Sequence, residues 1–347
     1  MNTEALRDFV AGGTLYENGR AELCTVSLED GHLSVEKGEP DKGLPHADFI
    51  IDMVNAHTHC ADYGLKVPPG LSVEELVAPP NGLKHRYLSG LDEASLKENM
   101  RAFDRASASH GAASFIDFRE GGLEGCRALR ECSEDAIILG RPISSEYDPE
   151  EVSAILEVAD GIGLPSISDM DPGYIEDVAD AVRDSRKIFA IHASERVRED
   201  IDFILSLDPA FIVHMCVATR DDMDKCAEAE VPVVVCPASN RYFGNTTPIG
   251  LMMESGVDFA VGTDNGMLCE PDLLNEIRSL GELMISQGCG SEDVLGRLSD
   301  FPSKLLYRTR RMEYKVNGGY LTVIPGKGDA NCLWSTDGPI RIRFDSR

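Results

Sequence analysis

Short apolar runs alternate with amphipathic segments through the middle of this 347-residue chain. The amphipathic segments, such as DEASLKENMRAFDRAS and TRDDMDKCAEAE, have helical spacing and begin with Asp or Thr, which are common helix N-caps. Eight runs predict buried strands: FIIDMVNA, ASFIDF, AIILG, GIGLPSI, KIFAIH, FIVHM, VPVVVC and DFAVG. Strict alternation of eight strands with helices predicts an α/β protein with a (β/α)8 TIM barrel. No Gly-x-Gly-x-x-Gly follows the first strand, which argues against an open dinucleotide-binding sheet.

The two ends of the chain have a different pattern. Residues 14–50 contain short β segments separated by the turn signals Glu17-Asn18-Gly19 and Glu29-Asp30-Gly31, and GGYLTVIPGKGDANCLWSTDGPIRIRF near the other end has the same character. We expect these two segments to pair into one small β-sandwich beside the barrel. The predicted domains are residues 1–49 and 317–347, the two parts of the sandwich, and residues 50–316, the barrel.

Composition and charge restrict the partners. Acidic residues outnumber Lys and Arg by 60 to 33, giving a formal net charge of -27. Because nucleic-acid binding needs basic side chains to displace counterions, we expect no nucleic-acid partner, and nothing favours an anionic membrane. No apolar run approaches the roughly 20 residues that span a bilayer, and MNTEALRDFVAGG does not resemble a signal peptide. We expect a cytoplasmic protein whose ten scattered cysteines are mostly reduced core residues.

Residues able to bind a metal follow several predicted strands. His57 and His59 end strand one, and because positions i and i+2 of a strand point to the same side, both rings can face the barrel axis. An H-x-H pair alone is a weak signal. However, His192 ends strand five, His214 ends strand six and Asp264 follows strand eight. Since the carboxyl ends of barrel strands form the active site, we expect these side chains to meet.

Four of these side chains form a donor set for one divalent metal ion: His57, His59, His192 and Asp264. Catalytic zinc takes imidazole and carboxylate ligands and keeps one position open for water. Iron(II) and manganese(II) accept the same donors, so zinc is the first choice and the other two are alternatives. Taken singly, His192 could instead be a hydrogen-bonded core residue, and Asp264 could cap a helix or turn.

Five short motifs occur in one order along the chain: VNAHTH, IHASE, FIVHM, VVVCPASN and AVGTDN. In this order they resemble the motifs of the amidohydrolase superfamily, in particular its cytosine deaminase and aminohydrolase/chlorohydrolase-like branch. The resemblance covers residues 50–265 together with the terminal β segments. It implies a metal-dependent hydrolase that acts on carbon–nitrogen bonds other than peptide bonds.

The resemblance also implies roles for individual residues. The four donors named above would bind the metal. Glu195, three positions after His192, would shuttle a proton to the substrate, and His214 would orient or polarise the attacked group or the water. Asp264 would also take a proton from the water. Asn240, in the motif CPASN, either lies near the site or stabilises the loop after strand seven.

Two departures from the family pattern matter. Two-metal members commonly bridge their ions with a modified lysine at the end of strand four, but GIGLPSIS contains none, so one metal is expected. The segment after strand one, CADYGLKVPPGLSVEELVAPPNGLKHRYL, also differs from the usual sequence. Because substrate identity depends largely on such loops, it cannot be transferred from the family.

Several basic residues are candidates for the mouth of the site. Three arginines follow predicted strands: Arg119, Arg141 and Arg241. They could clamp a substrate carboxylate or phosphate, or they could form surface salt bridges in a very acidic protein. Lys84, His85 and Arg86 belong either to a lid over the site or to a solvated basic loop.

The candidate proton donor Glu195 favours one reaction among several. Hydrolytic deamination of a small nitrogen heterocycle needs a proton on the ring before ammonia leaves, whereas amide hydrolysis needs this less. The first hypothesis is therefore a deaminase of a small-molecule heterocycle. Hydrolysis of a cyclic amide or imide on the same site is the alternative, and a non-catalytic binding barrel is the third. Homo-oligomer formation stays open.

Overall fold

The computed structural model describes residues 8–30, 32–77, 81–290, 294–309, 319–326 and 338–344. These residues form two sheets, one of six strands and one of nine, with helices around the larger sheet. Among them, no helix is both long enough and apolar enough to cross a lipid bilayer.

The smaller sheet joins the two ends of the chain. Its strands are β1 Phe9–Glu17, β2 Arg20–Glu29, β3 His32–Lys37, β4 His46–Ile51, β14 Gly319–Pro325 and β15 Ile340–Phe344, in the order β15-β14-β4-β1-β2-β3. Glu17 pairs with Arg20 across a hairpin whose two turn residues, Asn18 and Gly19, have φ of 49° and 70°. Such positive φ values are what a type I′ turn requires, so the predicted turn is confirmed.

The pairing of the two chain ends is also confirmed, because β14 lies antiparallel to β4. The described strands form one continuous sheet, so the finer prediction of a sandwich with two facing layers is not shown. Residues 327–337, in the middle of the predicted C-terminal β segment, lie outside the described residues. The domain boundaries at 49/50 and 316/317 stay a prediction.

The larger sheet contains nine strands that pair in parallel. They are β5 Val54–His59, β6 Ser114–Arg119, β7 Ala136–Gly140, β8 Gly161–Leu164, β9 Ile188–Ala193, β10 Phe211–His214, β11 Val233–Val235, β12 Phe259–Val261 and β13 Asp264–Asn265. β12 pairs with β11, and β13, which follows after Gly262 and Thr263, pairs with β5. The sheet therefore curls until its last strand meets its first, which is a TIM-like arrangement with all strand carboxyl ends on one side.

Helices follow the strands as the amphipathic segments predicted. They are α1 Val73–Val77, α2 Leu83–Gly90, α3 Glu93–Ser109, α4 Gly122–Cys132, α5 Pro149–Val158, α6 Pro172–Asp184, α7 Ile201–Ser206, α8 Arg220–Glu228, α9 Pro237–Tyr242, α10 Ile249–Ser255, α11 Leu273–Ser286 and α12 Val294–Thr309. Asp92 caps α3 by accepting a hydrogen bond from the Ser95 amide, and Thr219 forms a capping box with Asp222 on α8. The predicted N-caps of these two helices are confirmed.

One predicted strand is wrong. FIIDMVNA is not a single strand: its first residues belong to β4 in the small sheet, and its last residues begin β5 in the large one. Asp52 separates them with a φ of 48°, a left-handed conformation that ends regular pairing. The seven other predicted strands correspond to β6–β12.

Alternate residues of the large sheet pack on opposite sides. Ile116 and Phe118 of β6 belong to the apolar cluster that fills the inside of the curled sheet, whereas Phe115 belongs to the cluster under the helices. Nine cysteines are free thiols, and six of them are buried, which confirms the expectation for the described part of the chain. Cys332 lies outside the described residues.

Candidate metal centre and cavity

The four predicted metal donors meet where β5 and β9 end and β13 begins. His57 Nε2 lies 3.2 Å from His192 Nε2 and 3.3 Å from Asp264 Oδ1. His59 Nε2 lies 3.6 Å from the same Asp264 oxygen. The structure therefore brings together all four residues that the sequence singled out. Donor atoms of His57, His59 and Asp264 lie within 4.8 Å of one another, and so do those of His57, His192 and His214.

Backbone irregularities at the strand ends produce this convergence. The pairing register between β5 and β6 shifts between Asn55 and Thr58. Gly262, just before β13, approaches β5 so closely that a Cβ there would lie 2.6 Å from the His57 nitrogen. Asp264 itself has a φ of 62°, which a non-glycine residue adopts only at some cost. Local strain is thus tolerated where the last strand meets the first.

Hydrogen bonds orient the histidine rings. The Leu164 carbonyl lies 2.8 Å from His192 Nδ1, and the Phe118 carbonyl lies 3.2 Å from His59 Nδ1. A carbonyl can only accept, so each Nδ1 carries the ring proton and each Nε2 presents its lone pair to the centre. Such partners on the outer nitrogen are typical of metal-binding histidines.

Burial keeps the central imidazoles neutral. The side chain of His57 is fully buried, and this loss of solvation lowers its pKa to about 3. Burial likewise lowers the pKa of His192 well below its ordinary value, and the neighbouring His57 and His214 lower it further. A metal binds the neutral imidazole, so no proton has to be removed from these two ligands first.

The donor set fits a divalent cation on its chemistry. Three imidazole nitrogens and one carboxylate oxygen converge in a buried place, and the lone pair of His192 Nε2 points at His57 Nε2. An ion with tetrahedral or five-coordinate preference accepts this combination. The second oxygen of Asp264 accepts a hydrogen bond of 2.5 Å from Ser239 Oγ, which fixes the carboxylate.

Glu195 and His214 lie beside the donors. His214 Nε2 is 3.9 Å from Glu195 Oε2, and both residues line the cavity. His214 has a φ of 78°, and its Nδ1 lies 3.2 Å from the amide nitrogen of Asn240. Thr247 donates to the amide oxygen of Asn240, so the amide group is oriented to donate to His214 Nδ1. Asn240 therefore acts on the ring of His214 and does not line the cavity itself.

A cavity of about 340 Å³ opens over these residues. Its walls come mostly from the loops after the strands, as in other barrels of this kind. The lining side chains include His59, Val77, Lys84, His85, Glu120, Arg141, Asp169, His192, Glu195, Arg196, His214, Phe243, Asp264 and Asn265. One end of the cavity thus carries the metal donors, and further walls carry basic and acidic groups.

Lys84, predicted from the sequence to belong either to a lid over the site or to a solvated loop, lies at the site. Its ammonium, on α2, is only 6% exposed and lies 2.6 Å from Glu120 Oε1. It also donates to the side-chain oxygen of Asn265, whose amide donates to Asp264. Glu120 Oε1 is in turn 3.1 Å from His59 Nδ1. Lys84 is therefore linked to two of the four metal donors, to His59 through Glu120 and to Asp264 through Asn265.

Charge balance keeps this network ionised. Burial alone would lower the pKa of Lys84, but the charges of Glu120 and Asp62 outweigh burial and raise it. Burial alone would raise the pKa of Glu120, but Lys84, His59 and Arg119 hold it well below its usual range. The position of Glu120, directly after β6, was the signal that could have found it, since the strand ends carry the site.

Arg119 does not line the cavity. It points to the same side of β6 as Asp117, away from the inside of the sheet, and donates to the carboxylates of Asp117 and Glu120 at 3.3 Å and 2.5 Å. The prediction that it follows strand two is wrong, because it is the last residue of β6, and alternation of side chains turns it toward the helices.

The other basic candidates divide into two groups. Arg141 and His85 line the cavity, both half-buried. Arg241, on α9, and Arg86, on α2, are exposed and do not belong to its walls. Since Lys84 is buried, its segment is not simply a solvated basic loop.

Comparisons with known proteins agree with this geometry. No protein-family model matches the chain. A protein of Archaeoglobus fulgidus, provisionally named an aminohydrolase, is 36% identical over 234 residues, which cover 66% of this chain and 68% of the relative. A zinc-bound adenosine deaminase from Xanthomonas campestris superposes with a TM-score of 0.72 at 15% identity, covering 95% of this chain and 89% of its own. A guanine deaminase from C. acetobutylicum with bound guanine superposes with a TM-score of 0.61 at 12% identity, covering 92% and 91%.

The chain belongs to the amidohydrolase superfamily. More than two thirds of a relative with 36% identity is covered, and the fold is shared with metal-dependent members over nearly the whole chain. The family resemblance drawn from five motifs is confirmed, and with it the class of protein, a hydrolase of carbon–nitrogen bonds.

Proposed function

We propose that this protein is a hydrolytic deaminase of a small nitrogen heterocycle that uses one divalent metal ion, with zinc as the first choice. The observation that carries the proposal is the meeting of His57, His59, His192 and Asp264 at one end of a cavity whose wall also presents Glu195. The provisional aminohydrolase name of the Archaeoglobus relative and the zinc in the Xanthomonas adenosine deaminase support it.

Each residue has a defined task in this proposal. When bound, the cation supplies a water of lowered pKa and a positive charge beside the attacked carbon. Asp264 accepts the proton that the water loses, since its Oδ1 faces the donors. Glu195 carries a proton to the ring nitrogen and then to the leaving amino group, which departs as ammonia. His214, held by Asn240, donates a hydrogen bond from Nε2 to the oxygen that forms.

The order of bonds is balanced. The water oxygen forms a bond to the ring carbon that carries the amino group, one proton of the water passes to Asp264, and Glu195 gives its own proton to the ring nitrogen. Glu195 then takes the second water proton from the added hydroxyl group and passes it to the amino group, so that the carbon–nitrogen bond breaks and ammonia leaves. The proton on Asp264 returns to Glu195, which restores both carboxyl groups. No oxidant or second substrate is required.

Ammonia release tests the proposal. Zinc-loaded protein is incubated with cytosine, adenine, adenosine and guanine, and with a cyclic imide such as hydantoin, while ammonia and ring opening are measured separately. We expect ammonia from at least one aminated ring and none from the variant Glu195→Gln. Glu134→Gln is the matched control, because Glu134 is exposed, follows the end of α4 and is not among the cavity-lining residues.

Two results would contradict the deaminase. Ring opening of the imide without any ammonia would instead establish the cyclic amide or imide hydrolase. Protein that contains no stoichiometric metal and turns over neither class would leave the barrel as a binding protein.

A further inference from the structure

One basic side chain of the cavity differs from its neighbours in having no carboxylate partner. Arg141 follows β7, is half-buried and lines the cavity. Within the described ranges, its guanidinium forms neither an ion pair nor a hydrogen bond. Acidic residues outnumber basic ones by 60 to 33 in this chain, so carboxylate partners are plentiful elsewhere. An arginine that lines a cavity and has no carboxylate partner is available to bind a ligand.

Two acids, one close in sequence to Arg141 and one in the same cavity wall, are already engaged. Glu151 accepts hydrogen bonds from the backbone amides of Ile143, at 2.7 Å, and Ser144, at 3.2 Å. Glu120 accepts from Lys84 and Arg119 and contacts a metal donor.

The other cations of the cavity do not have the same freedom. Lys84 is bound to Glu120 and Asn265, and Arg196 has interactions of its own. His85 lies against the Val77 carbonyl at 3.0 Å, and burial lowers its pKa, so it is a neutral ring. Within the described part of the chain, Arg141 is therefore the charged cavity residue whose guanidinium is not held by a protein partner.

The size of the cavity leaves room for more than a bare ring. Its volume of about 340 Å³ falls in the range of pockets that hold drug-sized ligands, roughly 300–1,000 Å³. A single heterocycle placed against Glu195 and the metal donors fills only part of such a space. The rest of the substrate would extend along the walls that include Arg141.

Building on the proposed deaminase function, we propose that the substrate is a heterocycle with an anionic substituent, a carboxylate or a phosphate, and that Arg141 binds this substituent. A guanidinium offers two parallel donors to a carboxylate or phosphate, which fixes both position and orientation. The anion is held at the wall that carries Arg141 while the aminated carbon faces Glu195 and the metal donors. Arg141 is then a specificity-determining residue and takes no part in bond breaking.

Binding to matched pairs of compounds tests this directly. The probes are cytosine with 5-carboxycytosine, and adenosine with adenosine 5′-monophosphate, each pair differing only in the anionic group. Dissociation constants are measured by calorimetry on zinc-loaded protein at one salt concentration. We expect the anionic member of at least one pair to bind roughly tenfold to a hundredfold more tightly than the neutral one. The first pair reports a carboxylate and the second a phosphate.

Variants test whether Arg141 or the metal ion causes the tighter binding of the anionic compounds. In Arg141→Gln the anionic advantage should vanish while binding of the neutral compound is unchanged. Arg241→Gln, which removes an exposed arginine outside the cavity walls, should keep the full advantage. Equal affinities within both pairs, binding of neither anionic compound at millimolar concentration, or an advantage that persists in Arg141→Gln would each overturn the proposal.

The outcome is independent of turnover. If an anionic advantage depends on Arg141 but no ammonia is released from any compound, the anion site stands and the deaminase proposal fails. If ammonia is released equally from neutral and anionic compounds, the deaminase stands and the anion site fails.

Discussion

The ammonium of Lys84 lies 2.6 Å from Glu120 Oε1, and the same oxygen lies 3.1 Å from Nδ1 of His59. One carboxylate oxygen is therefore shared between a buried cation and a metal-donor ring. Glu120 orients His59, and Lys84 with Arg119 keeps Glu120 ionised in a place where it is only 15% exposed. This relationship leads to the first two predictions.

Replacing Lys84 by Met should destabilise the fold. The substitution leaves Asp62 and Glu120 buried with less positive charge, and removing one member of a buried ion pair costs about 3 kcal/mol. Guanidinium unfolding of the metal-free protein measures the change. Lys66→Met is the matched control, because Lys66 is exposed on the same connecting segment and should change stability little. Equal unfolding free energies for the two variants would show that the buried contacts of Lys84 contribute nothing.

Replacing Glu120 by Gln should weaken metal binding. The neutral amide no longer offers a carboxylate to His59 Nδ1, and losing such a partner costs about tenfold to a hundredfold in metal affinity. Competition with a zinc chelator measures the dissociation constant, and circular dichroism confirms that the variant is folded. If zinc affinity matches that of the wild type, Glu120 does not orient His59.

Replacing His192 by Ala should abolish stoichiometric zinc. His192 contributes one of the four converging donors, so its removal takes one coordination bond from the ion and leaves a gap in the buried centre. Metal analysis after dialysis measures zinc per chain, and added zinc should raise the melting temperature of the wild type but not of the variant. His32→Ala, at an exposed position of β3, should keep both properties. Full zinc content in His192→Ala would remove this residue from the ligand set.

Replacing Gly262 by Ala should disturb the metal centre. The added Cβ would lie 2.6 Å from the backbone nitrogen of His57 and 2.7 Å from its carbonyl oxygen. The chain before β13 must therefore move away from β5. Overpacking of this kind costs about 1–3 kcal/mol, and Asp264 moves with the strand. We expect a lower unfolding free energy and weaker zinc binding together. Gly43→Ala, where nothing lies within 4 Å of the added Cβ, should show neither.

Replacing Glu276 by Gln should change how stability depends on pH. Burial raises the pKa of Glu276 from 4.5 to about 7, although the Ala238 amide donates to it. Between these two values the unfolded chain loses this proton while the native protein keeps it, so stability falls as the pH rises through that window.

The Gln variant has no proton to lose at this position, so its stability does not fall with pH for this reason. The unfolding free energy of the variant minus that of the wild type should therefore increase between about pH 5 and about pH 8. Urea unfolding at both values measures it. Glu282→Gln, on the exposed side of the same helix, is the control. A difference between variant and wild type that stays constant with pH would contradict the shifted pKa of Glu276.

Much of the site could be predicted because its donors end strands. The apolar runs located seven strands, and parallel strands place their carboxyl ends together, so His192 and Asp264 could be assigned to one centre before any coordinates. The break at Asp52 could not be found, because FIIDMVNA is mostly apolar, has apolar residues on both sides of Asp52 and contains neither Gly nor Pro.

Two charged side chains, Arg119 and Lys84, show why other parts of the site could not be predicted from the sequence. The side chain of Arg119 points toward the helices because Arg119 is still part of β6. If β6 ended one residue earlier, strand alternation would no longer set the direction of this side chain, and the sequence does not locate the strand end that closely. Lys84 lies in a segment with no clear periodicity, and its buried partners Glu120, Asp62 and Asn265 are distant in the sequence. Local pattern carries no information about such distant charge pairing.

The pairing of β13 with β5 has a consequence for how the protein is made in the cell. The first histidines and the final carboxylate lie about two hundred residues apart, so during synthesis the ribosome releases the last donor long after the first. A nascent chain that ends before Thr263 holds at most an incomplete set of ligands. For the proposed site of one ion on these four donors, we therefore expect the ion to load late in biogenesis, after the chain has been translated past β13, and to stabilise the contact of β13 with β5 from then on.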